Sequence, residues 1–152
     1  MRISKHISYK EATRSEVASR LGIDNTPGEY ELQNMQLLAE KVFEPLRKHF
    51  GVPILVSSFY RSDELNKAVR GSSRSQHKEG RAMDLDDVLG GVTNAEMFSY
   101  IKDNLDYDQI IWEYGDDENP DWVHVSYVSE DQNRKHILRA TRRKGKTIYE
   151  QI

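Results

Sequence analysis

The chain has 152 residues, 22 Lys and Arg against 25 Asp and Glu, a formal net charge of -3, 37% hydrophobic residues and no cysteine. That length suits a single domain over residues 1–152 with a sizeable core, and the acidic balance argues against a nucleic-acid partner. Without cysteine, disulfides, thiolate metal sites and thiol nucleophiles are excluded, so any metal must be held by His, Asp or Glu.

No apolar run approaches the roughly 18 residues that mark a membrane-spanning helix. The N-terminal stretch MRISKHISYKEA lacks the apolar core of a secretory signal, so synthesis in the cytoplasm without a signal peptide is expected.

Residues 8–22 read as one short helix or two. Ser8…Glu11 and Thr13…Glu16 have the spacing of capping boxes, and Gly22 is the stop. Thr26, Pro27 and Glu29 suggest the start of a longer helix, with Thr26 as its cap. Leu32, Met35, Leu38, Ala39, Val42, Leu46 and Phe50 then recur at helical spacing as a core stripe, which Pro45 should kink or break. Pro53 to Ser58 reads as a buried strand, Ser62 to Val69 as a short helix, and Gly71 to Gly80 as a loop. Ala82 to Leu85 suggests a second strand. Thr93 and Glu96 cap a helix that carries Met97, Tyr100, Ile101 and Leu105 on one face. Gln109–Tyr114 and Trp122–Tyr127 read as two strands joined by the turn-forming GDDENPD. The tail from Arg134 to Lys146, rich in Lys and Arg, reads as a solvated surface, with docking on an anionic polymer as the alternative. This order implies an α+β domain: a small, largely antiparallel sheet with helices on one side.

Two segments carry chemistry. In Ser75-Gln76-His77-Lys78-Glu79-Gly80-Arg81-Ala82-Met83-Asp84 a loop histidine and a strand aspartate converge if the segment folds back. In Asp121-Trp122-Val123-His124, Trp122 and His124 share a strand face, and Asp121 stands at the strand's start. Two histidines and one carboxylate suit a three-ligand zinc site that leaves a position for water, and a further carboxylate can act as general base.

Ser75, His77, Gly80, Ala82 and Asp84, followed by Trp122-Val123-His124-Val125-Ser126, resemble the metal motifs of the zinc D-Ala-D-Ala carboxypeptidase family, peptidase family M15. Ser57-Ser58-Phe59-Tyr60-Arg61-Ser62 with Leu65-Asn66 is similar to that family's arginine-bearing segment. Glu11-Ala12-Thr13-Arg14-Ser15 and Glu44-Pro45-Leu46-Arg47 resemble its carboxypeptidase branch. The likeness covers roughly residues 8–128.

The resemblance implies a zinc cleft on the sheet, as in DD-peptidases and hedgehog domains. It implies zinc ligation by His77, Asp84 and His124, and a catalytic Asp121 three residues before the last histidine. Glu113 is the rival base, read as a partner of a ligating histidine. Arg61 matches the family's arginine, which binds substrate or a developing oxyanion; the plainer reading is a surface ion pair with Asp63 or Glu64. Ser75 is expected to bind substrate or cap its loop. The implied activity is hydrolysis of peptidoglycan stem or cross-link peptides, by a phage or prophage endolysin acting on the cell wall. No obligate protein partner is inferred. A zinc-containing module that binds cell wall or virion without cleaving is the alternative.

Overall fold

A computed structural model describes residues 1–152. The chain opens with a small antiparallel pair, β1 (Arg2–Ser4) and β2 (Ile7–Ser8), followed by α1 (Tyr9–Thr13) and α2 (Glu16–Leu21). Ser8 caps α1 as the spacing predicts, accepting from the Glu11 N–H at 3.0 Å. The second cap is Ser15 rather than Thr13: the Ser15 hydroxyl accepts from the Ala18 N–H, while the Thr13 hydroxyl donates to the Tyr9 carbonyl one turn back. Gly22 ends α2 in the left-handed conformation, at φ 67°.

The long helix begins later than Pro27 suggests. Thr26 is occupied by a turn with Asp24, and α3 (Glu29–Leu38) starts from Gly28, whose N–H the Glu31 carboxylate accepts. Pro45 does not break the stripe. The helix widens into a π-helical turn at Ala39–Phe43 and resumes as α4 (Glu44–Phe50), with Pro45 in its first turn. Proline has no N–H for the carbonyl four residues back, and its ring would crowd that carbonyl in a regular turn. The wider turn, closed by Glu44 N–H to Ala39 O, carries the chain past this clash. Met35, Leu38, Ala39, Val42 and Leu46 therefore stay fully buried on one side.

The main sheet comprises β3 (Leu55–Ser58), β4 (Ala82–Asp86), β5 (Gln109–Glu113), β6 (Trp122–Ser126), β7 (His136–Arg143) and β8 (Lys146–Gln151), in the order β3-β4-β6-β5-β7-β8. Between them lie α5 (Asp63–Ala68), capped by Ser62, and α6 (Asn94–Asn104), with the Thr93/Glu96 capping box as read. Every pairing is antiparallel except β5 with β7. β3 is an edge strand and only partly buried. Alternation assigns the two faces of the sheet. Met83, Leu85, Ile110, Val123 and Val125 join the core with α3, α4 and α6. Asp84, His124, Ile111 and Glu113 occupy the opposite face.

The basic tail is neither free nor irregular. Arg143-Lys144-Gly145-Lys146 forms a two-residue hairpin turn, with Lys144 at φ 50° and Gly145 at φ 76°. Two successive positive φ values make the turn whose twist matches a hairpin. Buried Asp108 anchors the start of this hairpin, accepting from the Arg134 backbone and guanidinium and from the Gln76 amide. Burial opposes the Asp108 charge, but the Arg134 hydrogen bonds outweigh it and hold the carboxyl below its ordinary pKa.

Gly80 seats the metal-face loop on the helical layer. It sits at φ +72°, and a Cβ there would lie 2.5 Å from the Glu31 carbonyl oxygen and 2.7 Å from Met35 Cγ. Gly80→Ala should cost at least about 2 kcal/mol from left-handed strain and backbone collision. Thermal unfolding followed by circular dichroism should show this as a fall in Tm of about 4–8 °C.

Candidate metal centre

Three side chains from two strands and a loop meet on the open face of the sheet. Asp84 on β4 and His124 on β6 are direct cross-strand partners, so register alone places them side by side. His77 comes from the 3₁₀ turn Gln76–Glu79, which Ser75 caps by accepting from the His77 N–H at 3.2 Å. The ligand atoms of His77, Asp84 and His124 lie within 4.8 Å of one another.

Hydrogen bonding fixes the tautomer of His77. Its Nδ1 lies 2.7 Å from the Phe59 carbonyl oxygen, which can only accept, so Nδ1 carries the proton. Burial lowers the ring's pKa and outweighs the Asp84 charge that raises it, so His77 is neutral. Its bare Nε2 faces Asp84 Oδ1 at 3.4 Å, and His124 Nδ1 lies 3.0 Å from the same oxygen. Burial pushes the Asp84 carboxyl up, but its histidine neighbours, with His124 at hydrogen-bond distance, outweigh it, so Asp84 stays ionised. A lone pair and a carboxylate oxygen at 3.4 Å have no proton between them. A cation satisfies both. Tetrahedral zinc, with bonds of about 2.0–2.2 Å, places its donors roughly 3.3–3.5 Å apart. The donor set suits zinc, and the His77–Asp84 spacing falls in that range.

Arg61 lies beside this group. Its backbone N–H donates to the His77 carbonyl, and its guanidinium reaches Ser58 Oγ at 3.2 Å, Asn66 Oδ1 at 3.4 Å and Asp84 Oδ2 at 3.5 Å. The ion pair with Asp63 or Glu64 does not form; Asp63 pairs instead with Lys78. Asn25, to which the sequence reading gave no role, holds this segment by donating to the Thr13 and Tyr60 carbonyls and accepting from the Ser62 N–H.

The two candidate bases sit differently. Glu113 lies on the metal face of β5, one same-face step along from Ile111, the cross-strand partner of His124. It is only 7% exposed, and burial, opposed by His124 and Arg61 and reinforced by Asp84, pushes its carboxyl up to about 7. Asp121 is exposed at the end of the acidic turn. Its N–H donates to the Glu113 carbonyl, and its own carbonyl accepts from the amide of buried Asn94. Tyr60 is a core residue, whereas Trp122 is half-buried against Tyr114. Tyr114 follows Glu113 at φ 57°, a conformation that costs an aromatic residue on the order of 1–3 kcal/mol.

The Glu113 shift carries a pH signature. Between 4.5 and about 7 the native metal-free protein holds a proton at Glu113 that the unfolded chain has released. The stabilisation is complete below 4.5 and lost as pH rises through 7. Urea titrations across this range should therefore show the wild type losing up to about 3 kcal/mol relative to Glu113→Gln. Parallel pH profiles for the two proteins would refute the shift.

Comparison with known proteins returns one family and no curated relative. No curated protein matches the chain significantly. The sequence profile of Peptidase M15 matches residues 5–126, a span that runs from before α1 to the end of β6 and contains His77, Asp84, His124, Arg61 and both acidic candidates. The chain belongs to the Peptidase M15 family, whose members are in general zinc-dependent peptidases.

Proposed function

We propose that this protein is a zinc peptidase that hydrolyses amide bonds in bacterial peptidoglycan stem or cross-link peptides, and that it acts on the cell wall as a phage or prophage lysin. The observation that carries the chemistry is the bare Nε2 of neutral His77 facing ionised Asp84 beside His124. His77, Asp84 and His124 hold the metal. Zinc in such a site polarises a carbonyl and makes water a stronger nucleophile near neutral pH.

The chain's own residues do the rest. Glu113 is the proton carrier. Its carboxylate, on the metal face and raised by burial, is basic enough to take a proton from the attacking water and, once protonated, acidic enough to return it to the leaving amine. Asp121 has this role by family resemblance, and it is exposed just before β6. Arg61 keeps guanidinium donors beyond its three protein contacts, and these suit a substrate carboxylate or a developing oxyanion. The Ser75 hydroxyl accepts from His77 and retains its own hydrogen for the substrate.

The decisive test is mass-spectrometric analysis of purified sacculi digested by the wild type, the chelated wild type, Glu113→Gln and Asp121→Asn. New stem-peptide fragments should appear with the untreated wild type and with Asp121→Asn, and not with the chelated wild type. Glu113→Gln should lose about 10²–10⁴-fold in rate while retaining zinc. Full activity in Glu113→Gln beside an inert Asp121→Asn would transfer the role to Asp121. Zinc retained without fragments in any sample would favour a binding module.

Zinc should also stabilise the fold. At a hundredfold excess over Kd, scanning calorimetry should show a gain of about 2.7 kcal/mol that Asp84→Ala and His124→Ala abolish.

A further inference from the structure

The family match ends at residue 126, and the hairpin β7–β8 lies beyond it. Register carries the metal face of the sheet into this hairpin. Trp122 pairs with Glu113, Glu113 with Ala140, and Ala140 with Tyr149. Cross-strand partners point to the same side, so these residues form one row on the face that holds Asp84 and His124. Glu113 and Tyr149 are two strand spacings apart, about 10 Å between backbones. Ala140, between them, is fully buried, and its methyl group leaves room for a long side chain to lie across it.

Tyr149 is such a side chain. It is 56% exposed, a large aromatic ring that the core does not use. Its phenol is raised above its ordinary pKa by partial burial, then by Glu113, Tyr114 and Asp84. The neighbouring row extends the wall. Tyr114 donates or accepts a hydrogen bond with Thr147 at 2.6 Å, packs on Trp122, and lies under the Arg142 guanidinium at 5.0 Å. Arg142 and Thr147 are register partners on this same face. Aromatic rings and an arginine thus border Glu113 on the side opposite β4.

We infer that the C-terminal hairpin forms one wall of the substrate cleft, and that Tyr149 binds an anionic peptide across Glu113 with Arg142 drawing the peptide's carboxylates. This rests on the reading of the chain as a peptidase of peptidoglycan stem peptides. Tyr149 offers a ring face to small apolar side chains and a hydroxyl donor to a peptide carbonyl. Arg142 supplies a charge whose effect falls with salt.

The test uses a soluble stem pentapeptide ending in D-Ala-D-Ala. Cleavage kinetics are measured on the zinc-loaded wild type, Tyr149→Phe, Tyr149→Ala, Arg142→Ala and Glu150→Gln, the last on the other face of β8. Peptide binding is measured by calorimetry in the zinc-loaded Glu113→Gln background, with and without Tyr149→Ala. Tyr149→Ala should raise KM and weaken binding roughly 2- to 12-fold with kcat little changed, and Tyr149→Phe should fall between it and the wild type. Arg142→Ala should raise KM and flatten its rise with salt, and Glu150→Gln should match the wild type. An active wild type whose KM and binding are untouched by Tyr149→Ala overturns the inference and leaves the peptidase reading standing. Binding that depends on Tyr149 in a protein that does not cleave supports the wall and defeats the peptidase reading. A protein that neither cleaves nor binds the peptide defeats both.

Discussion

The metal centre depends on how His77 is held. Two hydrogen bonds tie it to the segment that follows β3: Nδ1–H to the Phe59 carbonyl, and the Arg61 N–H to the His77 carbonyl. The first selects the tautomer and turns Nε2 toward Asp84. The second fixes the backbone of the turn. Both use main-chain groups, so they constrain the ring without requiring a particular side chain at residue 59 or 61. Gly80 then seats the turn on α3, and the Asn34 amide donates to the Glu79 carbonyl from the same helix. Asp84 and His124 need no such bracing, because β4–β6 pairing already sets them side by side. His77, from the loop, is thus the member of the group for which the fold must supply extra restraint.

The same small region holds two carboxyls in opposite states. Asp84 is ionised because two rings and a guanidinium surround it. Glu113, one same-face step from the His124 row, is buried with weaker compensation and titrates near neutrality. Environments that push two neighbouring carboxyls apart suit them to different roles, and in the proposed mechanism the charged Asp84 holds the cation while Glu113 exchanges a proton. Asp108, a third buried carboxyl outside this group, is committed to structure, since Arg134 and Gln76 occupy it.

Much of this was legible in the chain. Helix starts were clear where a Ser or Thr stood alone before its helix, as at Ser8 and Thr93. They shifted where rival caps lay close together, as with Thr13 beside Ser15 and Thr26 near Gly28. His77, Asp84 and His124 could be picked out because their motifs are local and dense. Glu113 was visible as a residue, but its elevated pKa was not, because burial arises from the β5–β6 and β5–β7 pairings rather than from its neighbours in sequence. The hairpin was hidden by charge: Arg139, Arg142, Arg143 and Lys144 obscure an alternation whose turn uses Lys-Gly instead of the more common Asn-Gly. Arg139 lies near Trp112 and pairs with Asp117, so a run that reads as solvated is partly tied down.

The π-helical turn at Ala39–Phe43 bears on which insertions and deletions this lineage can tolerate. The turn holds one residue more than an α-helix of the same path needs. Deleting that residue would regularise the hydrogen bonding locally, yet it would rotate everything after it by about 100° about the helix axis. Leu46 would swing out of the core while Met35 and Leu38 stayed in place, and Pro45 would meet the carbonyl it now avoids. The irregular turn and the proline after it are therefore locked together: neither can be lost alone without breaking the layer on which the metal-face loop sits.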